Sequence, residues 1–116
     1  MTELTLKTIL KAIDDKQGED IDIVDVRNIN PFATYYVICT ANNKRRLHAI
    51  QEAVQEELEK MGLSIHHCEG KKDSEWVLVD AYEVIVHIFS PNERERFDFH
   101  SLFQNEPHLD PNQLLQ

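Results

Sequence analysis

The sequence predicts an α/β (α+β) layer fold: a mixed β-sheet of about five strands flanked by helices. Three observations lead there. Two stretches carry apolar residues at helical spacing, five short runs carry alternating or β-branched residues, and the order reads helix, two strands, helix, three strands, helix. At 116 residues and 41% hydrophobic content, the chain supplies one compact core. Residues 1–104 are expected to form that single domain, and residues 105–116 a polar, mobile C-terminal tail.

In the first helix, Leu6, Ile9, Leu10 and Ile13 share one face between Leu4 and about Lys16, and Gly18 follows. Ile21 to Val26 then approaches alternation, the pattern of a strand with one buried face, and Asn28-Ile29-Asn30-Pro31 ends it. Thr34 to Thr40 is rich in β-branched and aromatic residues and predicts a more deeply buried second strand. From Asn43, the positions Leu47, Ile50, Val54, Leu58 and Met61 form one stripe, with Glu52, Glu56, Glu59 and Lys60 opposite. Asn42 or Asn43 caps this long helix, and Gly62 supplies the left-handed residue that ends it.

Leu63 to Cys68 predicts a third strand. Trp76 to Val79 and Val84 to Phe89, joined by Asp80-Ala81-Tyr82-Glu83, predict a hairpin. Ser90-Pro91-Asn92-Glu93 carries a capping serine, a proline at the first helical position and a glutamate at the third, so a short helix with Phe97, Leu102 and Phe103 should follow. Pro107 and Pro111 interrupt the polar stretch beyond it.

Charge narrows the partners. With 21 acidic against 12 basic residues, the net charge of −9 repels nucleic-acid phosphates and attracts basic protein surfaces, so no direct nucleic-acid specificity is expected. No apolar run approaches a membrane span and the N-terminus lacks a signal pattern, which predicts a cytoplasmic protein without membrane contact. Cys39 and Cys68 have no zinc-ligand spacing and read as reduced thiols.

Little in the sequence predicts catalysis. Asp20, Asp22, Asp25 and Asp80 invite a magnesium-dependent phosphotransfer reading. However, Asp20 and Asp22 alternate with Ile21 and Ile23 as a solvent face would, and three glycines include no phosphate cradle. His66-His67-Cys68-Glu69 resembles a ligand cluster in composition, but successive strand residues point to opposite faces, so at most alternate members could share a metal. His87 sits in an apolar strand with no nucleophile motif near it. We therefore expect no catalytic residues, metal or cofactor. Lys44-Arg45-Arg46 crowds three cations into the positive end of a helix at a cost of about a few tenths of a kcal/mol each. The chain's own carboxylates, a partner surface or an rRNA phosphate could offset them. Trp76 suits either core packing or the centre of an interface.

In order along the chain, Gly18-Glu19-Asp20-Ile21 with Asp25-Val26, Tyr35 to Thr40, Arg45, Glu69-Gly70, Trp76 to Asp80, Val84 to Phe89, Arg94-Glu95 and Phe97-Asp98 resemble the blocks of the ribosomal silencing factor family, also called Iojap-like. The resemblance spans Leu6 to Phe103. The chain departs from the family pattern at Thr34, Ala41, Lys44 and Phe103, and at the turn, where Ala81-Tyr82-Glu83 replaces Tyr-Gly-Asp. Tyr82 therefore has to adopt whatever geometry the family's glycine serves.

The resemblance implies a nucleotidyltransferase-like topology and a non-catalytic role. It further implies binding to ribosomal protein L fourteen on the large ribosomal subunit, so that the small subunit is sterically blocked and translation repressed under nutrient limitation. It points to partner-binding residues Trp76, Asp80, Ala81, Tyr82, Glu83, Val86, Arg94, Phe97 and Arg45. A metal-dependent nucleotidyltransferase-like enzyme is the second reading. A simple dimeric interaction module is the third, and the apolar hairpin with its aromatic positions predicts a weak homodimer at high concentration.

Overall fold

The computed structural model describes residues 2–115, with the side chains of residues 99 and 100 outside the description; Met1 and Gln116, the ends of the expected domain and tail, also lie outside it. The chain runs α1 (Thr2–Asp15), β1 (Glu19–Asp25), β2 (Tyr35–Thr40), α2 (Lys44–Lys60), β3 (His67–Glu69), β4 (Trp76–Ala81), β5 (Val84–Phe89), α3 (Pro91–Arg96), α4 (Phe99–Leu102), β6 (His108–Leu109) and α5 (Pro111–Leu115). Six strands form one mixed sheet in the order β3-β4-β5-β2-β1-β6. Among the described residues only the central pair, β2 with β5, is parallel, and the other ladders are antiparallel. The expected α+β class holds with one strand more than anticipated.

Helix boundaries follow from local chemistry. Asn43 caps α2 by accepting from the Arg46 N–H at 2.8 Å. At the other end, the Gly62 and Leu63 N–H groups donate to the carbonyls of Glu59 and Leu58, with Gly62 at φ 72°. This paired closure needs a left-handed residue at Gly62, and it turns Leu63 back into the core. The helix thus stops one residue short of Met61, which the apolar stripe had included and which is half exposed. At α3, Ser90 accepts from the Glu93 N–H at 3.2 Å with Pro91 next to it, as the sequence predicts.

The strands expected from Leu63 to Cys68 and from Ile21 to Val26 are re-bounded by pairing. β3 is only three residues long, since Leu63 closes the preceding helix and pairing with β4 runs only from His67 to Glu69. β1 carries a register shift between Glu19 and Asp22, with Asp20 at φ 48°. Past that irregularity Ile23, Val24 and Asp25 are all buried, so the strand is covered on both sides rather than on one. Only Asp20 keeps the solvent exposure expected of it, and Asp22 is part-buried.

The segment expected as a polar tail is placed against the sheet. His108–Leu109 pairs with Ile23 and Val24 as an edge strand, and Leu114 and Leu115 of α5 pack on the main core. Two leucines and a strand-forming pair are enough apolar material to bury at an open edge, which the prolines on either side obscure in the sequence.

The two sheet faces differ in cover. Val77, Val79, Ala81, Val84, Val86 and Ile88 point to one face and meet Leu6, Ile9, Leu10 and Ile13 of α1 and Leu47, Ile50, Val54 and Leu58 of α2. The other face holds a smaller cluster of Val24, Val26, Ala33, Ile38 and Phe89, with Tyr36, Ile85, Phe97 and Phe103 partly buried around it. Because Leu58 is fully buried on the sealed face, Leu58→Ala should destabilise the fold by about 2–5 kcal/mol in urea unfolding. A loss under about half a kcal/mol would mean that this helix face is wrongly assigned.

Candidate functional site

The less-covered face offers the exposed aromatic surface. Trp76, Leu78 and Asp80 alternate outward on β4 and stand opposite Phe89, His87 and Ile85 of β5. Trp76 retains 39% of its surface, although its ring stacks on Phe89 at 5.1 Å and tilts against Phe97 at 5.2 Å. It is therefore both packed and available, where the sequence left core and interface as alternatives. Its indole N–H donates to His87 Nδ1 at 3.3 Å. Indole nitrogen is a donor only, so His87 must accept there as a neutral imidazole protonated at Nε2. Burial pushes the His87 pKa down to about 4, in accord with that tautomer.

The structure separates the residues nominated from the sequence into two groups. Trp76, Arg94 and Phe97 lie at the end of β5 occupied by Phe89. Asp80, Tyr82 and Glu83 lie at the hairpin end, about 17 Å away along five strand steps. Phe97, part-buried, supports Trp76, and Arg94 donates to Thr40 Oγ1 at 3.0 Å, which ties α3 to the end of β2. Arg45 is exposed on α2, where Lys44, His48, Glu52, Gly70 and Lys72 line a shallow groove with it. Ala81 and Val86 are corrected: both face α1 and α2, at 5% and 0% exposure, and no partner can reach them without opening the core.

At the hairpin Tyr82 takes φ 65°, the left-handed conformation a glycine adopts freely. The Asp80 carboxylate stabilises it by accepting the Tyr82 N–H at 2.9 Å. Glu83 is tied down too: its carbonyl accepts from the Thr34 and Tyr35 N–H groups, and its carboxylate accepts from the Thr2 hydroxyl. The outcome is an exposed tyrosine flanked by two carboxylates on a braced turn.

The carboxylates suspected of phosphotransfer do not converge. Asp25 is held by the Arg27 guanidinium at 2.6 Å, which lowers its pKa. Asp22 accepts from His108 Nδ1 at 2.8 Å, and Asp80 stands three strands away across β5 and β2. Burial pushes the Cys39 thiol pKa up to about 12, keeping it protonated and unreactive. Cys39 and Cys68 are free thiols on strands that do not adjoin. Among the described residues no helix is long and apolar enough to cross a membrane.

Sequence reasoning set aside one cluster that the fold assembles. His66 and His67, expected on opposite strand faces, stand together with Asp80, because β3 begins only at His67. It also passed over the clamp on β6. His108 Nδ1 lies at 2.8 Å from Asp22, and Nε2 at 2.9 Å from the Phe103 carbonyl. Two acceptors call for two N–H donors, and the Asp22 hydrogen bond raises the His108 pKa. Neither is readable without the strand register.

The two histidines have opposite pH signatures. Between pH 6.5 and about 4 the unfolded chain binds a proton at His87 that the folded chain refuses, so stability falls as pH drops through that window. The His108 contribution is complete below pH 6.5 and is lost as pH rises through its elevated folded value. Imidazole NMR should find His87 neutral at pH 5 and His108 still charged above pH 6.5. His87→Asn should flatten the fall in unfolding free energy between pH 6.5 and 4, and an unchanged slope would refute the assignment.

The chain matches the family described as "Ribosomal silencing factor during starvation" over residues 1–116. It is 33% identical to the ribosomal silencing factor RsfS of Bacillus subtilis over 105 residues, covering 90% of this chain and 89% of that protein. The chloroplastic protein Iojap of Zea mays is 26% identical over 98 residues, which cover 84% of this chain and 42% of the maize protein. Among solved structures, a Chromobacterium violaceum protein superimposes with a TM-score of 0.84 at 30% identity, covering 90% of this chain and 87% of that one. A Bacillus halodurans protein follows with a TM-score of 0.81 at 27% identity, covering 95% and 99%. With its full length matched, the chain belongs to the ribosomal silencing factor family.

Proposed function

We propose that this chain acts in the cytoplasm by binding ribosomal protein L fourteen on the large ribosomal subunit, where it sterically excludes the small subunit and so represses translation when nutrients are limiting. It works by occupying a surface, without catalysis. Membership of the ribosomal silencing factor family supports the ribosomal target. The observation that carries the docking surface is Trp76: a large aromatic ring, 39% exposed, held rigid by Phe89, Phe97 and the His87 hydrogen bond on the less-covered sheet face. A ring fixed before binding loses little further entropy on contact, which is the property of an interface anchor.

The braced acidic turn at the other end of β5 suits a basic ribosomal partner. Its separation of about 17 Å from Trp76 fits within a face of about 800 Å² per partner. Net charge of −9 steers approach to a cationic surface, acting more on association rate than on affinity.

Trp76→Ala should weaken binding to isolated L fourteen and to purified large subunits by about 2 kcal/mol, roughly thirtyfold, after circular dichroism confirms folding. Asp80→Asn/Glu83→Gln should slow association and flatten its salt dependence. If folded variants bind as wild type does and still prevent subunit joining in cosedimentation, this face is not the docking surface.

The same partly covered face would support a weak homodimer at high concentration. Sedimentation that stays monomeric at millimolar-range protein would remove that reading and leave the ribosomal one intact.

A further inference from the structure

On the less-covered face, at the hairpin end, the register sets His67 directly opposite Asp80. His66 precedes the strand but is tied to the same ladder, its backbone N–H donating to the Asp80 carbonyl at 2.7 Å. The two imidazoles consequently share one corner, edge to face with ring centroids 4.8 Å apart. Their nearest ligand atoms and an Asp80 oxygen all lie within 4.8 Å of one another.

Each donor is oriented by a neighbour. The Tyr82 ring lies against His66 at 5.1 Å. Asp80 Oδ1 is engaged by the Tyr82 N–H, which leaves Oδ2 facing His67 Nδ1 at 3.7 Å. On its far side, His67 Nε2 lies 3.3 Å from Glu69 Oε1.

We propose that His66, His67 and Asp80 form a binding site for a divalent transition cation of the zinc type. A carboxylate beside one imidazole nitrogen holds the proton there and turns the other nitrogen's lone pair to a metal, the usual outer support of a metal-bound histidine. Glu69 has that position here, and with the proton on Nε2 the His67 Nδ1 lone pair faces Asp80 Oδ2. Two lone pairs facing across 3.7 Å repel, and a cation between them binds both. Metal–ligand bonds of about 2.0–2.1 Å at tetrahedral angles set neighbouring donors about 3.4 Å apart, so small side-chain rotations close the site.

Two imidazoles with one carboxylate favour zinc, cobalt or nickel over magnesium or calcium, which require oxygen donors. Both histidines are exposed, so loading displaces no core side chain. The three donors leave one coordination position open to water or to a ligand from another molecule. This inference does not depend on the ribosomal reading.

The competing account of the same geometry is a protonated His67 bridging Glu69 and Asp80. Calorimetric titration of the full chain with zinc chloride, alongside magnesium chloride, separates the two. Zinc should bind saturably one to one, magnesium should not compete, and His67→Gln or His66→Gln should each weaken zinc binding by roughly tenfold or more with unchanged circular dichroism. Cys68→Ser and His108→Gln should bind zinc as wild type does. No saturable zinc binding, binding that survives both histidine substitutions, or binding lost in Cys68→Ser and kept in His67→Gln would each overturn the site.

Discussion

Everything in this fold depends on the parallel pairing of β2 with β5 at the centre of the sheet, in register from Tyr35 with Val84 to Thr40 with Phe89. A parallel pair needs a crossover, here α2 followed by β3 and β4, and an interior strand needs cover on both faces. The crossover helix and α1 seal one face with aliphatic side chains. The 116-residue chain then has only short helices and aromatic rings left for the other. Partial cover of that second face leaves aromatic surface exposed there. Trp76, Tyr36, His87 and Ile85 are consequences of a layer fold with too little chain to close its second side.

The elements built from local rules were legible in the sequence. The α2 stripe, the Asn43 cap, the Gly62 stop and the Ser90-Pro91 start all rest on contacts within a few residues. What was not legible rests on pairing across the chain. β6 joins β1 from more than eighty residues away and gives the C-terminal stretch a place that its prolines and polar residues conceal. Ala81 and Val86 were misjudged because alternation along β4 and β5 fixes two faces without saying which one the helices take. The resemblance ran the whole hairpin together as one docking block, and register divides it into inward and outward residues. His66 and His67 show the opposite error. The period of two holds only inside a strand, and β3 starts between them.

Tyr82 and Asp80 show how a side chain can brace a left-handed turn residue. A non-glycine residue at φ 65° costs about 1–2 kcal/mol of backbone strain, offset here by the hydrogen bond from the Tyr82 N–H to Asp80. That bond holds Asp80 Oδ1 and fixes the other oxygen toward His67. It also places an exposed aromatic ring at the tip, against His66. A glycine would relax the turn and remove the ring, while its backbone N–H could still donate to Asp80.

Charge distribution argues for a division of labour on the surface. Acidic side chains dominate the molecule, and Asp80 and Glu69 lie on the less-covered face of β4 and β3. Cations gather elsewhere, with Lys44, Arg45 and Lys72 around the start of α2, where the positive end of the helix repels them. Glu52 shares that groove with them. A ribosomal protein and its neighbouring RNA present basic side chains beside phosphates. On the docking proposed above, a wide acidic field beside a compact cation-rich groove would favour orientations on such a surface that keep like charges apart. In that docking, the field would orient the approach before Trp76 makes contact, and the anchor would have only to hold it.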